Sequence, residues 1–258
     1  MKLYPKSVTK YLKHDFCIVE TYNCVDSTNL MMKKRGREGA PHGLIIVAES
    51  QTAGRGRMGR DFFSPAETGI YFSILLRPKL SPADCQLITT AAAVACARVL
   101  EKFANSPAKI KWVNDIYIND RKVCGILTEA AIAANGTLNY AVLGIGINIT
   151  PPTNHFPDEI AEKAGSVVLS VDEDLRGEIT AQILNEFFDI YNQIEERTYF
   201  NEYRSRSYLD GVSVEVLKHD ASIPAKALYI DENLCLVVQY SSGSTERLFT
   251  GDVSIKKI

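Results

Sequence analysis

Two rhythms of apolar residues run along this chain. "GLIIVAES" and "TGIYFSILLRP" are short continuous apolar runs bounded by turn residues, the pattern of buried strands. "FCIVETYNCVDSTNLMMKKRG" predicts a strand running into a helix, with Asp26 or Ser27 at the N-cap. "SPADCQLITTAAAVACARVLEKF" predicts a long buried helix. It opens with a Ser-x-x-Asp capping box and puts Pro82 at the first helical position. The stretch from Lys109 to Ile149 then reads as strands joined by tight turns, with Asn135-Gly136 a hairpin signal. That is an antiparallel meander rather than a series of parallel crossovers.

A proline-bearing loop, "TPPTNHFPDEI", leads into one long helical region, "DLRGEITAQILNEFFDIYNQIEERTYFNEYRSRSY". After Gly211 the character changes to short β-rich runs broken by turns, as in a small barrel. The expected organisation is α+β, a mixed or antiparallel sheet with packed helices over residues 1–210 and a small β-barrel over 211–258.

Composition narrows the classes. Hydrophobic residues make up 46% of the 258 and charged residues 23%, as in ordinary globular proteins. A formal net charge of -2 argues against a chain built to coat nucleic acid, so any basic patch is local. No apolar run is expected to approach the roughly 18 residues of a membrane span. "MKLYPKSVTKYLKHD" lacks the apolar stretch of a secretory signal, and a cytoplasmic location is expected. Cys17, Cys24, Cys85, Cys96, Cys124 and Cys235 form no C-x-x-C pair and read as free, buried thiols. No H-E-x-x-H and no G-x-S-x-G occurs.

The densest basic stretch is "QTAGRGRMGRDFFSP". Gly54, Gly56 and Gly59 spell G-x-G-x-x-G, but no helix follows and no acidic residue lies about 20 positions on, so a dinucleotide fingerprint fails on context. No Gly-Lys-Ser/Thr closes a phosphate-binding Walker loop either. What remains is a loop whose glycines allow close approach and whose Arg55, Arg57 and Arg60 offer rigid forks to carboxylate or phosphate. The alternative is a solvated turn with incidental charge. A nucleic-acid-binding arginine patch is another reading, and Phe62 and Phe63 beside it are equally suited to stacking on one adenine.

Two further stretches carry polar groups where a sheet prefers apolar ones. In "KWVNDIYINDRKVCGIL", Lys111, Asn114, Asp115 and Lys122 crowd one hairpin, where Val or Ile would pack better. A polar hairpin rim is the competing reading. "LGIGINI" places Gly144 and Gly146 inside an apolar strand and ends on Asn148; such glycines mark a bulge or the close approach of a ligand or backbone.

"DSTN", "QTAGRGRMGR", "KWVNDIYINDRKVCGIL" and "GIGIN", in this order and spacing, resemble the catalytic domain of biotin protein ligases over roughly residues 20 to 258. The resemblance includes a C-terminal "GDVS"-like segment, and implies a class II synthetase-like, biotin/lipoate ligase-like catalytic domain followed by an SH3-like barrel. Val113 stands where that family usually has Pro, and Cys124 where it has a small residue such as Ala. The implied activity joins biotin to ATP, releases diphosphate, and passes biotin from biotinyl-5′-AMP to a lysine of a biotin carboxyl carrier protein. Implied biotin contacts are Ser27, Thr28, Asn29, Gln51, Arg55, Gly56, Arg57 and Lys122, with Lys122 and Arg57 in catalytic roles. Implied nucleotide contacts are Phe62, Lys111, Asn114, Asp115 and Asn148, with Mg²⁺ accompanying ATP and its ligands unassigned.

Three rivals share parts of this pattern. A lipoate- or octanoate-type ligase or acyltransferase shares the catalytic architecture, but the arginine loop and the C-terminal barrel favour biotin. A DNA-binding repressor needs a domain of its own, and only about twenty residues precede the first motif; no DNA binding is expected. A non-catalytic biotin sensor leaves Lys111, Asp115 and Lys122 without a task. No membrane partner is expected, and a homodimer is possible.

Overall fold

A computed structural model describes residues 5–170, 175–218, 221–249 and 254–257, with side chains described for 7–170, 175–218 and 221–249. In chain order the elements are α1 (Pro5–Thr9), β1 (Ile18–Tyr22), α2 (Thr28–Arg37), β2 (Leu44–Ala48), β3 (Gly69–Leu76) and α3 (Cys85–Ala104). The meander follows as β4 (Lys109–Lys111), β5 (Asp115–Ile118), β6 (Arg121–Ile132) and β7 (Leu138–Asn148). Then come α4 (Asp158–Ala161), α5 (Leu175–Tyr191), α6 (Phe200–Ser205), β8 (Ser213–Lys218), β9 (Ala221–Ile230), β10 (Leu236–Tyr240), β11 (Thr245–Leu248) and β12 (Ser254–Lys257).

The main sheet has the order β1-β2-β3-β7-β6-β5-β4, with β1 and β2 parallel and every other pair antiparallel. It is therefore mixed, as the sequence pattern predicts, and β4 to β7 do form the meander. The β5–β6 turn is Asn119-Asp120, both residues left-handed at φ 50° and 59°, as a type I′ hairpin requires. Gly136, at φ 82°, lies inside a longer connection between β6 and β7.

Helices α3 and α5 cover one face of the sheet. Ser81 Oγ accepts the Asp84 N–H at 3.3 Å, and a short 3₁₀ turn over Pro82–Asp84 precedes α3. The apolar run of α3 corrects one expectation: it is long and apolar enough to span a bilayer, yet it is mostly buried against the sheet and α5 as a core helix. The long helical region is also broken. A 3₁₀ turn at Ile194–Glu196 and a left-handed Arg197 (φ 53°) separate α5 from α6, because polar residues at 192–193 and 195–197 interrupt the apolar periodicity.

Residues after Gly211 form a five-stranded antiparallel sheet of order β11-β10-β9-β8-β12. The "GDVS" segment lies outside the described residues except for Ser254, the first residue of β12. The small sheet is tied to the main one beneath the polar hairpin: Trp112 Nε1 and Gln86 Nε2 both donate to the Leu234 carbonyl at 2.9 Å. Its buried Val214, Leu234 and Leu236 join the same apolar core as α3 and β5. Three of the six free cysteines, Cys96, Cys124 and Cys235, are buried, while Cys24 is exposed.

Candidate active site

The site grows from the N-terminus of α2. Ser27 occupies the N-cap position, but its side chain makes no capping bond; instead Gln51 Oε1 accepts the Thr28 N–H at 2.8 Å. This satisfies one orphan amide of the helix without Ser27, which is one of the residues lining the cleft. Gln51 is fixed in turn, its Nε2 donating to Ser64 Oγ at 2.9 Å. Ser73 Oγ on β3 lies 2.8 Å from Thr28 Oγ1 and 2.6 Å from Asn29 Oδ1.

The arginine loop leaves this end and folds back on itself. Gly56 N–H donates to Arg60 O at 2.7 Å and Phe62 N–H to Gly54 O at 2.9 Å, while Met58 (φ 55°) and Gly59 (φ 72°) turn the chain. At Gly54 a Cβ would stand 2.3 Å from Phe62 O, so only glycine fits. Arg57 NH1 donates to Asn114 Oδ1 at 3.3 Å. Asn114 is held ready for it, since its Nδ2 donates to Ile126 O at 2.8 Å across the β5–β6 pair.

Ser27, Thr28, Asn29, Gln51, Arg55, Gly56, Arg57 and Lys122 all line one narrow cleft, together with Phe62 and Asn114. Its floor is the glycine-bearing surface of β6 and β7. Gly144 and Gly146 are explained by neighbouring side chains: a Cβ would meet Asn29 Oδ1 at 2.0 Å and Phe62 Cε1 at 2.5 Å respectively. The Phe62 ring thus packs against Gly146 and Gly125, close to the Lys122 side chain.

Lys111, Asp115 and Asn148 are not part of that lining. Asp115 Oδ1 pairs with Lys122 Nζ at 2.8 Å, and Lys111 faces Asp115 across the β4–β5 pair. Asn148 Nδ2 donates to Gly165 O at 3.1 Å. Burial pulls the proton affinities of Arg57 and Lys111 below their ordinary values, against the opposing charge of Asp115. Beside the loop, Phe63 meets Phe156 edge-on with ring centroids 6.4 Å apart. Among the described residues, no three His, Cys, Asp or Glu side chains gather as a metal cluster.

A second, wider and more open groove borders the first; Arg55, Gly56, Arg57, Ile126 and Leu127 line both. Sequence reasoning missed Ser64, Ser73 and Glu129. Each is a lone polar residue in an apolar or unremarkable context, and only the fold brings it to Gln51, Thr28 and Asn29.

The biotin/lipoate A/B protein ligase family model matches residues 21–148. The bifunctional ligase/repressor BirA of Bacillus subtilis is 31% identical over 238 residues, covering 91% of this chain and 73% of that protein. The chain belongs to the biotin/lipoate A/B protein ligase family. Within this family, the biotin–[acetyl-CoA-carboxylase] ligase of Mycobacterium tuberculosis is 32% identical, with 88% of this chain and 85% of that protein covered. Among solved structures, biotin protein ligase from Aquifex aeolicus in complex with biotin and ATP matches with a TM-score of 0.77 at 25% identity. That match covers 94% of this chain and all of that one. The stretch matched to the family ends at Asn148, so it contains every residue of the cleft.

Proposed function

We propose that this chain is a biotin protein ligase that makes biotinyl-5′-AMP from biotin and ATP and transfers the biotinyl group to a lysine of a carboxyl carrier protein. One observation carries this reading. A polar end built from Ser27, Thr28, Asn29 and Gln51 and a cationic end at Arg57 and Lys122 share one cleft over a glycine floor, Asn29 against Gly144 and Lys122 against Gly125.

The ureido ring of biotin fits the first end, where hydroxyl and amide groups are already oriented by Gln51 and Ser73. Its carboxylate then reaches Lys122. A carboxylate oxygen attacks the α-phosphorus of ATP, and diphosphate leaves with the electron pair of the broken P–O bond. Two anions must meet in this step, so fixed cations offset their repulsion. The loop from Gly54 to Phe62 orders over the mixed anhydride when biotin arrives and keeps water out. In the second step a neutral carrier lysine amine attacks the acyl carbon, AMP departs, and the amine proton passes to solvent.

For the nucleotide we assign the adenine side to Phe62 and the phosphates to Lys111, Asn114, Asp115 and Asn148. Mg²⁺ commonly enters with substrate phosphates and needs one or two protein carboxylates, and Asp115 is the carboxylate in reach of that cluster. We also read residues 1–210 as the catalytic domain and 211–258 as a small SH3-like barrel, supported by the left-handed turn at Gly211 before β8. A cytoplasmic, DNA-independent enzyme, able to pair as a homodimer, completes the reading; the net charge of -2 supports the lack of a DNA partner.

The test is incubation with biotin, MgATP and a biotin carboxyl carrier domain. Mass gain confined to the carrier lysine is expected, and no gain overturns the reading. Gel shift at physiological salt is expected to give no sequence-dependent nanomolar binding.

A further inference from the structure

Glu129, on β6, lines the neighbouring open groove rather than the cleft, and reaches the cleft through Asn29. Its Oε2 accepts Asn29 Nδ2 at 3.0 Å, and its Oε1 accepts Lys33 Nζ at 3.0 Å and lies 3.9 Å from Arg55 NH1. One half-buried carboxylate therefore joins α2, β6 and the arginine loop.

The chemistry of its partners gives this contact a direction. A carboxylate only accepts hydrogen bonds, so Asn29 must turn Nδ2 towards it and Oδ1 away. Leu127 O, 3.4 Å from the same nitrogen, is a weaker second acceptor. The Asn29 Oδ1 then faces Ser73 Oγ at 2.6 Å and must accept the single Ser73 proton. Thr28, 2.8 Å from Ser73 Oγ and 3.2 Å from Gln51 Oε1, is left to donate to one of them. A Thr28 hydroxyl that donates keeps its lone pairs for an incoming donor such as a ureido N–H. The absence of a side chain at Gly144 lets the amide sit against β7 in this orientation.

We propose that Glu129 is a positioning residue that fixes the hydrogen-bond polarity of the ureido end through Asn29 and, through Arg55, ties the arginine loop to that end. This deepens the biotin ligase reading and rests on it. Filling of the cleft and seating of the loop are then coupled by one side chain, although the loop and α2 share no strand pairing.

The test compares Glu129→Gln, Glu129→Ala and Lys33→Met in the full chain. The amide of Glu129→Gln keeps the volume but offers a donor as well as an acceptor. It is expected to weaken biotin binding in calorimetry about tenfold, because a neutral carbonyl replaces the charged acceptor for Asn29 and the new NH2 meets the cations Lys33 and Arg55. KM for biotin in the carrier assay rises with it, while kcat stays within about twofold. Without any ligand, tryptic cleavage after Arg55 or Arg57 should run about two- to fivefold faster in either Glu129 variant, as expected for a partly exposed ion pair. Lys33→Met, which leaves Asn29 and Arg55 held, should move neither readout. Biotin affinity and loop cleavage both unchanged in Glu129→Gln overturn the proposal, and so does an equal effect from Lys33→Met. Should Glu129→Ala fail to fold, the isosteric variant decides. A wild-type protein that binds no biotin sinks the ligase reading instead, and the ligand-free cleavage comparison then judges Glu129 alone.

Discussion

Two charged clusters in this molecule are built on opposite plans. Behind the sheet, Arg98, Lys102 and Arg206 meet Glu101, Glu186 and Glu202 across α3, α5 and α6. Arg98 lies 2.6 Å from Glu202 and 3.1 Å from Glu186, and Arg206 lies 2.7 Å from Glu101 and 2.9 Å from Glu202. Each positive group has a carboxylate, and the guanidinium of Arg206 also donates to Ala108 O at 3.1 Å. At the cleft, Asp115 is paired with Lys122 and is also the carboxylate whose charge acts on Arg57 and Lys111. One network is neutral and finished. The other holds more positive than negative charge in a half-buried place, which costs stability unless an anion joins it. Surplus of one sign, rather than the number of charges, distinguishes a binding cluster from a structural one.

The sharpest way to break this contrast is to remove a cation from the surplus side. Lys122→Ala is expected to slow adenylate formation about 10²- to 10³-fold with the fold intact. Diphosphate release at a near wild-type rate in that variant would take Lys122 out of the chemistry. Lys122→Arg should recover little, because a planar fork does not replace a compact ammonium.

Arg57→Gly removes a fork while leaving Lys122. Biotinyl-AMP should escape about ten- to hundredfold faster. The leaked anhydride acylates bystander lysines, so a biotin blot of added serum albumin should darken relative to wild type. A variant that makes adenylate yet labels albumin no more than wild type assigns retention to another residue.

The balanced cluster should answer differently. Arg206→Met leaves Glu101 and Glu202 short of a partner and should cost about 1–3 kcal/mol, lowering Tm by about 2–4 °C per kcal/mol. Turnover of the folded enzyme should not change. A thermal melt paired with the carrier assay separates the two effects, and lost turnover at full stability would show that the balanced cluster also serves the chemistry.

The smallest effect is one of pH. The hydrogen bond from Arg206 is the main influence on Glu101 and, against burial, holds it below the ordinary value of 4.5. At Glu202 burial pushes upward, but the hydrogen bonds and charges of Arg98 and Arg206 outweigh it, so the net shift is also downward. Both folded values lie below the unfolded ones. The stabilisation is therefore complete above pH 4.5 and is lost as pH falls through the lower folded values. Melts from pH 7 to pH 3 should show that decline, and Arg206→Met should flatten it.

The strands and α3 were legible because apolar runs, caps and turn residues act locally. Pro82, the Asn119-Asp120 turn and the strand glycines each declare themselves within a few positions. The break between α5 and α6 was harder to see, since 192–197 still carries an apolar Ile194 at helical spacing. Among site residues, Arg57 and Lys122 stand out by density and by placement in a strand-rich segment. Ser73 and Glu129 do not: a lone serine in an apolar strand and a lone glutamate in a long one acquire meaning only when β3, β6 and α2 meet. Asn148 was conspicuous at the end of its motif, and the fold adds what the motif could not say: its Nδ2 also holds the Gly165 carbonyl.

The glycine floor has a consequence for anyone wishing to change what this enzyme accepts. At Gly144 the added methyl of alanine would press on Asn29 before it reached a substrate, and at Gly146 it would press on Phe62. Those positions cannot be used as dials for substrate size; a change there rebuilds the recognition groups themselves. Gly56 is less crowded, although a Cβ there would still stand a tight 3.3 Å from the Arg60 backbone oxygen. Redesign for bulkier biotin analogues has its freedom on the loop side of the cleft, and libraries should be spent there rather than on the sheet.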